Sequence, residues 1–159
     1  MDVWRICLAR HARNGAAAFS GEGSRLYGGR WNSKGVSVVY ASSTLSLAAL
    51  EFLVHADIGR LASVDLASCV AHCPDDISTE SVSVDRLPGG WRSAPAPRAL
   101  SRIGDAWVRS LRSAVLLVPS AIVPNEKNVL INPAHPDASR IAYGRPEPFR
   151  FDPRLIARK

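Results

Sequence analysis

The chain has little lysine, methionine or cysteine: among its 159 residues are three lysines, one methionine and three cysteines. Three cysteines, an odd number, do not make the disulfide framework of a small secreted domain, and they point to a reducing, cytoplasmic setting. No apolar run approaches the roughly 18 residues a membrane-spanning helix needs. The longest, Leu111 to Val118, is broken by Arg112 and Ser113. The start, Met1-Asp2-Val3-Trp4-Arg5, offers no basic stretch leading into an apolar one, so no export signal and no membrane association are expected. There is no Walker loop, no G-x-S-x-G elbow and no G-x-G-x-x-G after a strand; Gly21-x-Gly23 stands alone. Cys69-Val-Ala-His-Cys73 has the ligand types of a zinc site, but strand alternation turns His72 away from the two cysteines and no second ligand pair exists, so no metal is expected.

What is present fits one globular domain over residues 1–159. Hydrophobic residues make up 47% of the chain and charged residues 21%, which excludes a disordered chain. A chain of this length buries roughly 70% of its unfolded surface, enough for a core without covalent staples. The net charge is +6, and seventeen of the twenty basic residues are arginine. Arginine's planar fork suits phosphates, although an arginine-rich codon bias gives the same excess. The arginines are dispersed from Arg5 to Arg158 without a dense cluster, so direct nucleic-acid binding is not expected.

The pattern along the chain predicts α+β architecture. Val3–Leu8 reads as a first strand. Residues 10–35, rich in Gly, Ser, Arg and Asn, read as a long ordered loop. Val36–Ala41 is a short apolar strand, and Ser42-Ser43-Thr44 supplies caps for a helix over Leu45–Ala56. Leu61–His72 reads as a strand or strand pair, and 74–99 as irregular. Arg98–Leu111 repeats Leu100, Ile103, Trp107 and Leu111 at helical spacing. Ala114–Val118 and Asn128–Asn132 are strands ended by Pro119 and Pro133, and Pro148–Phe151 is an edge segment. Short strands with two principal helices make an α+β domain.

Some residues do not fit a bland core. Glu51 sits in a helix apolar almost all round, where a buried carboxylate costs several kcal/mol unless paired. No Lys or Arg lies within four residues. Either its partner comes from elsewhere in the fold and its burial serves chemistry, or it shares a narrow solvated stripe with His55 at i+4. Arg30 follows Gly28-Gly29 and precedes Trp31. It reads either as an anion clamp on a loop whose glycines admit a close ligand, or as part of an ordinary turn. Tyr40 closes an apolar strand and needs no role beyond the core. Ser120 follows Val118-Pro119, at a strand end that either points into a cleft or simply turns. Asn128, Asn132 and His135 line a site or form Asx turns.

Together these segments resemble the RES domain, the toxin of RES–Xre toxin–antitoxin systems. The resemblance rests on Gly28-Gly-Arg-Trp-Asn-x-x-Gly35, Val39-Tyr40-x-Ser42, Ser46-Leu-Ala-x-Leu-Glu51 with His55, Leu87-Pro88 with Trp91, Gly104-Asp-x-Trp107, Val118-Pro-Ser120, Pro124-x-Glu126-x-Asn128 and Asn132-Pro-x-His-Pro136. It runs from Trp4-Arg5 to at least Pro136, and the Arg, Glu and Ser of the family's name match Arg30, Glu51 and Ser120. It implies a compact fold similar to ADP-ribosyltransferase and diphtheria-toxin-like catalytic domains, and cleavage of the nicotinamide–ribose bond of NAD+, with water, phosphate or a protein as acceptor. NAD+ is then a substrate, with no bound cofactor. The implied partners are an Xre-type helix-turn-helix antitoxin that covers the site and a second copy of the chain within that complex. In this scheme Glu51 stabilises the ribosyl cation, Arg30 holds the pyrophosphate, Tyr40 stacks on nicotinamide, and Ser120 bonds the nicotinamide amide or a ribose hydroxyl. Asn132 and Arg5 are further candidates for the same cleft.

Overall fold

The computed structural model describes residues 1–156; positions 157–159 of the expected 1–159 domain, Arg158 among them, lie outside the described residues. Eight strands form one mixed sheet: β1 Asp2–Leu8, β2 Val39–Ser42, β3 Leu66–His72, β4 Thr79–Ser81, β5 Val115–Pro119, β6 Lys127–Ile131, β7 Ala142–Tyr143 and β8 Glu147–Phe149. The order is β4-β5-β6-β2-β1-β3-β7, with β8 also on β3. Among the described strands only β4 with β5 is parallel. The helices are α1 Gly15–Ala18, α2 Glu22–Tyr27, α3 Leu45–Leu53, α4 Arg98–Ser110 and α5 Pro153–Ile156.

Period-two alternation divides the core between the two faces of the sheet. Val39, Ile131 and Val115 are successive cross-strand partners and share one face with Val3, Cys7, Cys69, Phe19 and Ala18. Tyr40, Leu130 and Leu116 are the next set and share the other face with Trp4 and Ile6. On that second face α4 packs Leu100 and Trp107 over β5 and β6, while α3 packs Ala48 against Ile6 and Leu66. All three cysteines bury in the first face, whereas His72 turns outward and bonds Asp2 at 2.8 Å.

The expected elements are present with different limits. Thr44 is the cap of α3, accepting from Leu47 N at 3.1 Å. The helix stops at Leu53, short of Ala56, and it is not buried all round: only Leu47 and Ala48 are buried, while Leu50 and Val54 are exposed. Residues 10–35 are not one long loop. Asn14 caps α1 by accepting from Ala17 N at 2.8 Å, and α2 follows. Both helices are too short to leave a periodic signal. Residues 61–72 contain a 3-10 turn before β3, and the irregular 74–99 contains β4. β7 has only two residues and leaves no alternation to read.

Candidate active site

β1 and β2 meet at a single register position, Trp4 opposite Ser42. The Tyr40 carbonyl, two residues along β2, takes a side chain instead of a strand partner: Arg5 Nη1 donates to it at 2.8 Å. Where the two strands part, a cleft of about 780 Å³ opens between them, α2, α3 and the segment 94–96. That size lies within the ~300–1,000 Å³ range of small-ligand sites. Arg5, Arg30, Tyr40 and Glu51 all line it, with His55, Asn128 and Ser42.

Glu51 projects from the last turn of α3, half-buried. Its Oε1 accepts from Ser120 Oγ at 2.7 Å and from Asn128 Nδ2. The Ser120 hydroxyl has a fixed polarity. Its oxygen accepts from the backbone N–H groups of Ile122 and Val123, both at 3.1 Å, so its one proton goes to Glu51. Asn128 is turned in the same way, because its Oδ1 accepts from Ser42 Oγ at 2.8 Å. Both donors therefore meet one carboxylate oxygen, and among the described residues none meets Oε2.

The Arg30 loop is held from beneath. Gly28 has φ +74°, a conformation other residues adopt at a cost, and a Cβ on Gly29 would come within 2.5 Å of Tyr40 Oη. Tyr40 Oη accepts from Trp31 N at 2.9 Å and donates to Asn32 Oδ1 at 2.7 Å. Asn32, 1% exposed, donates in turn to the carbonyls of Ser24, Ser33 and Val36. Burial pushes the Tyr40 phenol well above its ordinary range, so it stays a neutral donor. On the other side, buried Asp105 of α4 accepts from Ser33 N at 2.9 Å. Gly104 lies so close under the Trp31 carbonyl that any Cβ there would collide with it. The Gly104-Asp-x-Trp107 motif is thus the seat of the Arg30 loop.

Arg30 Nη1 donates to the carbonyls of Trp91, at 2.6 Å, and Ser93, at 3.2 Å, and Nη2 to Ser93 at 3.2 Å. The arginine pins the strap whose residues 94–96 wall the cleft. Its Nε and one Nη2 hydrogen remain without a partner among the described residues. Arg5 Nε is buried and has no hydrogen-bond partner among the described residues.

The structure thus brings four of the six expected residues to one cleft and separates two from it. Ser120 does not line the cleft. It stands behind Glu51, fully buried, with donor and both acceptor positions filled, so a direct bond to a nicotinamide amide or ribose hydroxyl gives way to a hold on the carboxylate. Asn132 is also fully buried, and its amide donates to Val108 O at 3.0 Å and accepts from Ala134 N at 3.1 Å, which ties α4 to the end of β6. Its contacts are structural and it is not a cleft residue. His135 likewise caps a 3-10 turn through Asp137 N. The reading of the sequence gave no role to Asn32 or Asp105 and took Ser42 only as a candidate cap of α3. A signal existed for Asp105, an acid flanked by Ile103 and Trp107 beside a helix-interior glycine.

A toxin of Sphingobium sp. named Prs ADP-ribosylating toxin is 44% identical over 158 residues, covering 98% of this chain and 96% of that protein. Toxin Res of Yersinia enterocolitica is 39% identical, covering 98% and 99%. The crystal structure of the Mycobacterium tuberculosis MbcT–MbcA toxin–antitoxin complex superposes with a TM-score of 0.68 at 13% identity, over 98% of this chain and 86% of that one, which shows a shared fold. The chain is an α+β domain of that fold. The RES domain family model matches residues 2–152, and the chain belongs to that family.

Proposed function

We propose that the chain is the toxin of a toxin–antitoxin pair and acts on NAD+, breaking the bond between nicotinamide and ribose. The observation that carries this reading is Glu51, an acid on a cleft of nucleotide size, held through one oxygen by two fixed donors with the other oxygen left over. Departure of nicotinamide leaves an oxocarbenium-like ribosyl cation, as in glycoside cleavage. A carboxylate held rigidly at that position stabilises the growing positive charge without reorganising. Oε2 serves as the oxygen for the ribose. The remaining Arg30 hydrogens, with the part of Arg5 that lines the cleft, supply anion donors for the pyrophosphate, and the Tyr40 ring forms the apolar wall on which the cationic pyridinium stacks.

The test is nicotinamide release from NAD+ by the purified chain. Glu51→Gln keeps the size of the side chain and removes its charge; release falls by at least about a hundredfold, on the scale of a lost electrostatic contact in a transition state. Wild-type release matched by Glu51→Gln overturns the assignment. Transfer of ADP-ribose to a protein is the second reading, favoured by the name of the 44% identical relative. It predicts labelled protein after incubation with tagged NAD+ in lysate, where hydrolysis predicts free ADP-ribose. Under either reading, an Xre-type antitoxin, with the toxin paired to a second copy, silences the protein by covering the cleft.

A further inference from the structure

The rung of the sheet that runs Val118–Asn128–Ser42–Trp4 crosses four strands. Its neighbours on the same face, Tyr40, Leu130 and Leu116, are apolar or aromatic, so an amide and a hydroxyl in adjacent strands stand out there. Polar groups on a packed face need partners, and these two have them in series: Ser42 Oγ donates to Asn128 Oδ1 at 2.8 Å, and Asn128 Nδ2 donates to Glu51 Oε1. The reverse orientation would set the Asn128 carbonyl oxygen against the Glu51 carboxylate. Ser42, 3% exposed, is fixed by its strand. Folding alone does not require this relay, because a half-exposed glutamate at the end of a helix is solvated by water. Its effect is to choose which oxygen of Glu51 is occupied and to lock the side chain's rotamer.

We infer that Asn128 is a positioning residue for the reaction at Glu51 and that Ser42 orients it. The inference rests on the NAD+ reading for its chemistry. Ser120 and Asn128 approach Oε1 from the two arms of the β5–β6 hairpin, so Glu51 is clamped and Oε2 alone is presented to the cleft. Five other titratable groups line the same cleft, Arg5, Arg30, Tyr27, Tyr40 and His55. Among the described residues none of them bonds Glu51, so the clamp is uncharged on the protein side.

Asn128→Asp is nearly isosteric and turns an oxygen toward Oε1. The loss of a hydrogen bond to a charged group predicts a fall in kcat for nicotinamide release on the order of 30-fold, with KM within about threefold of wild type. Ser42→Ala leaves the amide in place without its orienter and predicts a smaller fall in kcat, about three- to tenfold, again with KM preserved. The second measurement needs no turnover: the side-chain amide resonances of Asn128 in a 15N-labelled sample. Glu51→Gln and Ser42→Ala each move them toward the positions of a solvent-exposed asparagine. If Asn128→Asp and Ser42→Ala lower the melting temperature while the folded enzyme keeps its kcat, Asn128 is merely structural and the inference is overturned. Asn128 amide resonances unmoved by Glu51→Gln overturn it as well. Should wild type release no nicotinamide while those resonances still follow Glu51, the hold on Glu51 stands and the NAD+ reading is what fails.

Discussion

Ser120→Ala separates a serine that touches substrate from one that builds the site. The substitution removes one oxygen with three bonds, at a position with no solvent access: one donated to Glu51 at 2.7 Å and two accepted from Ile122 N and Val123 N at 3.1 Å. A buried donor left without a partner costs about 1–3 kcal/mol. With two backbone N–H groups losing their acceptor, and some relief from water reaching the half-buried turn, a loss of about 2–4 kcal/mol is expected. For a domain of this length each kcal/mol lowers the melting temperature by about 2–4 °C, so Ser120→Ala should melt roughly 5–15 °C below wild type. Glu51 also loses one of its two clamps, a charge-assisted bond worth about 1.5–3 kcal/mol. That corresponds to about 10–100-fold in kcat, provided the transition state feels the whole loss. KM should stay within a few-fold, since the hydroxyl does not reach the cleft. Calorimetry and nicotinamide release, both measured well below the melting temperature, check the two halves. A variant that melts within about 1 °C of wild type and raises KM tenfold at unchanged kcat would show that Ser120 contacts the substrate, and the argument from its filled valences would be wrong.

Two other perturbations test the support under the Arg30 loop. Gly104→Ala drives a methyl group into the Trp31 carbonyl and should cost about 1–3 kcal/mol. Nicotinamide release should fall because the loop carrying Arg30 must lift from α4, and wild-type melting with wild-type turnover would refute the seat. Tyr40→Phe should change the alkaline limb of stability. The folded phenol titrates above its ordinary value because of burial, so it contributes stability in full below pH ~10 and loses it as pH rises beyond. Urea midpoints measured from pH 9 to 11 should therefore fall less steeply in Tyr40→Phe than in wild type, and equal slopes would refute the assignment.

The elements readable from sequence are those whose physical signal is local. β1, β5 and β6 are apolar runs with punctuation, Thr44 lies among the three cap candidates before α3, and α4 repeats its apolar residues at helical spacing. The short pieces escaped because nothing local distinguishes them: α1 and α2 have four and six residues, and β7 is defined by its pairing with Ala71 and His72 rather than by its own composition.

At the site the division is different. Glu51 was legible because a lone acid in a greasy helix contradicts its surroundings, and Arg5, Arg30 and Tyr40 do reach its cleft. Misread was the way the polar residues are used. Ser120 and Asn132 both follow apolar strands, both are fully buried, and spacing treats them alike. Yet one bonds the carboxylate and the other bonds the end of α4. Which of these occurs depends on what lies opposite each strand end, and that is set by register across chain separations of 69 residues for Ser120 to Glu51 and 24 for Asn132 to Val108. A one-residue slip of β6 would turn Asn128 to the opposite face, where Val129 and Ile131 now pack. Val129, Leu130 and Ile131 are apolar on both faces, so what such a slip loses is the polar rung: Asn128 would leave both Ser42 and Glu51, and the register that keeps those bonds is what aims the amide at Glu51.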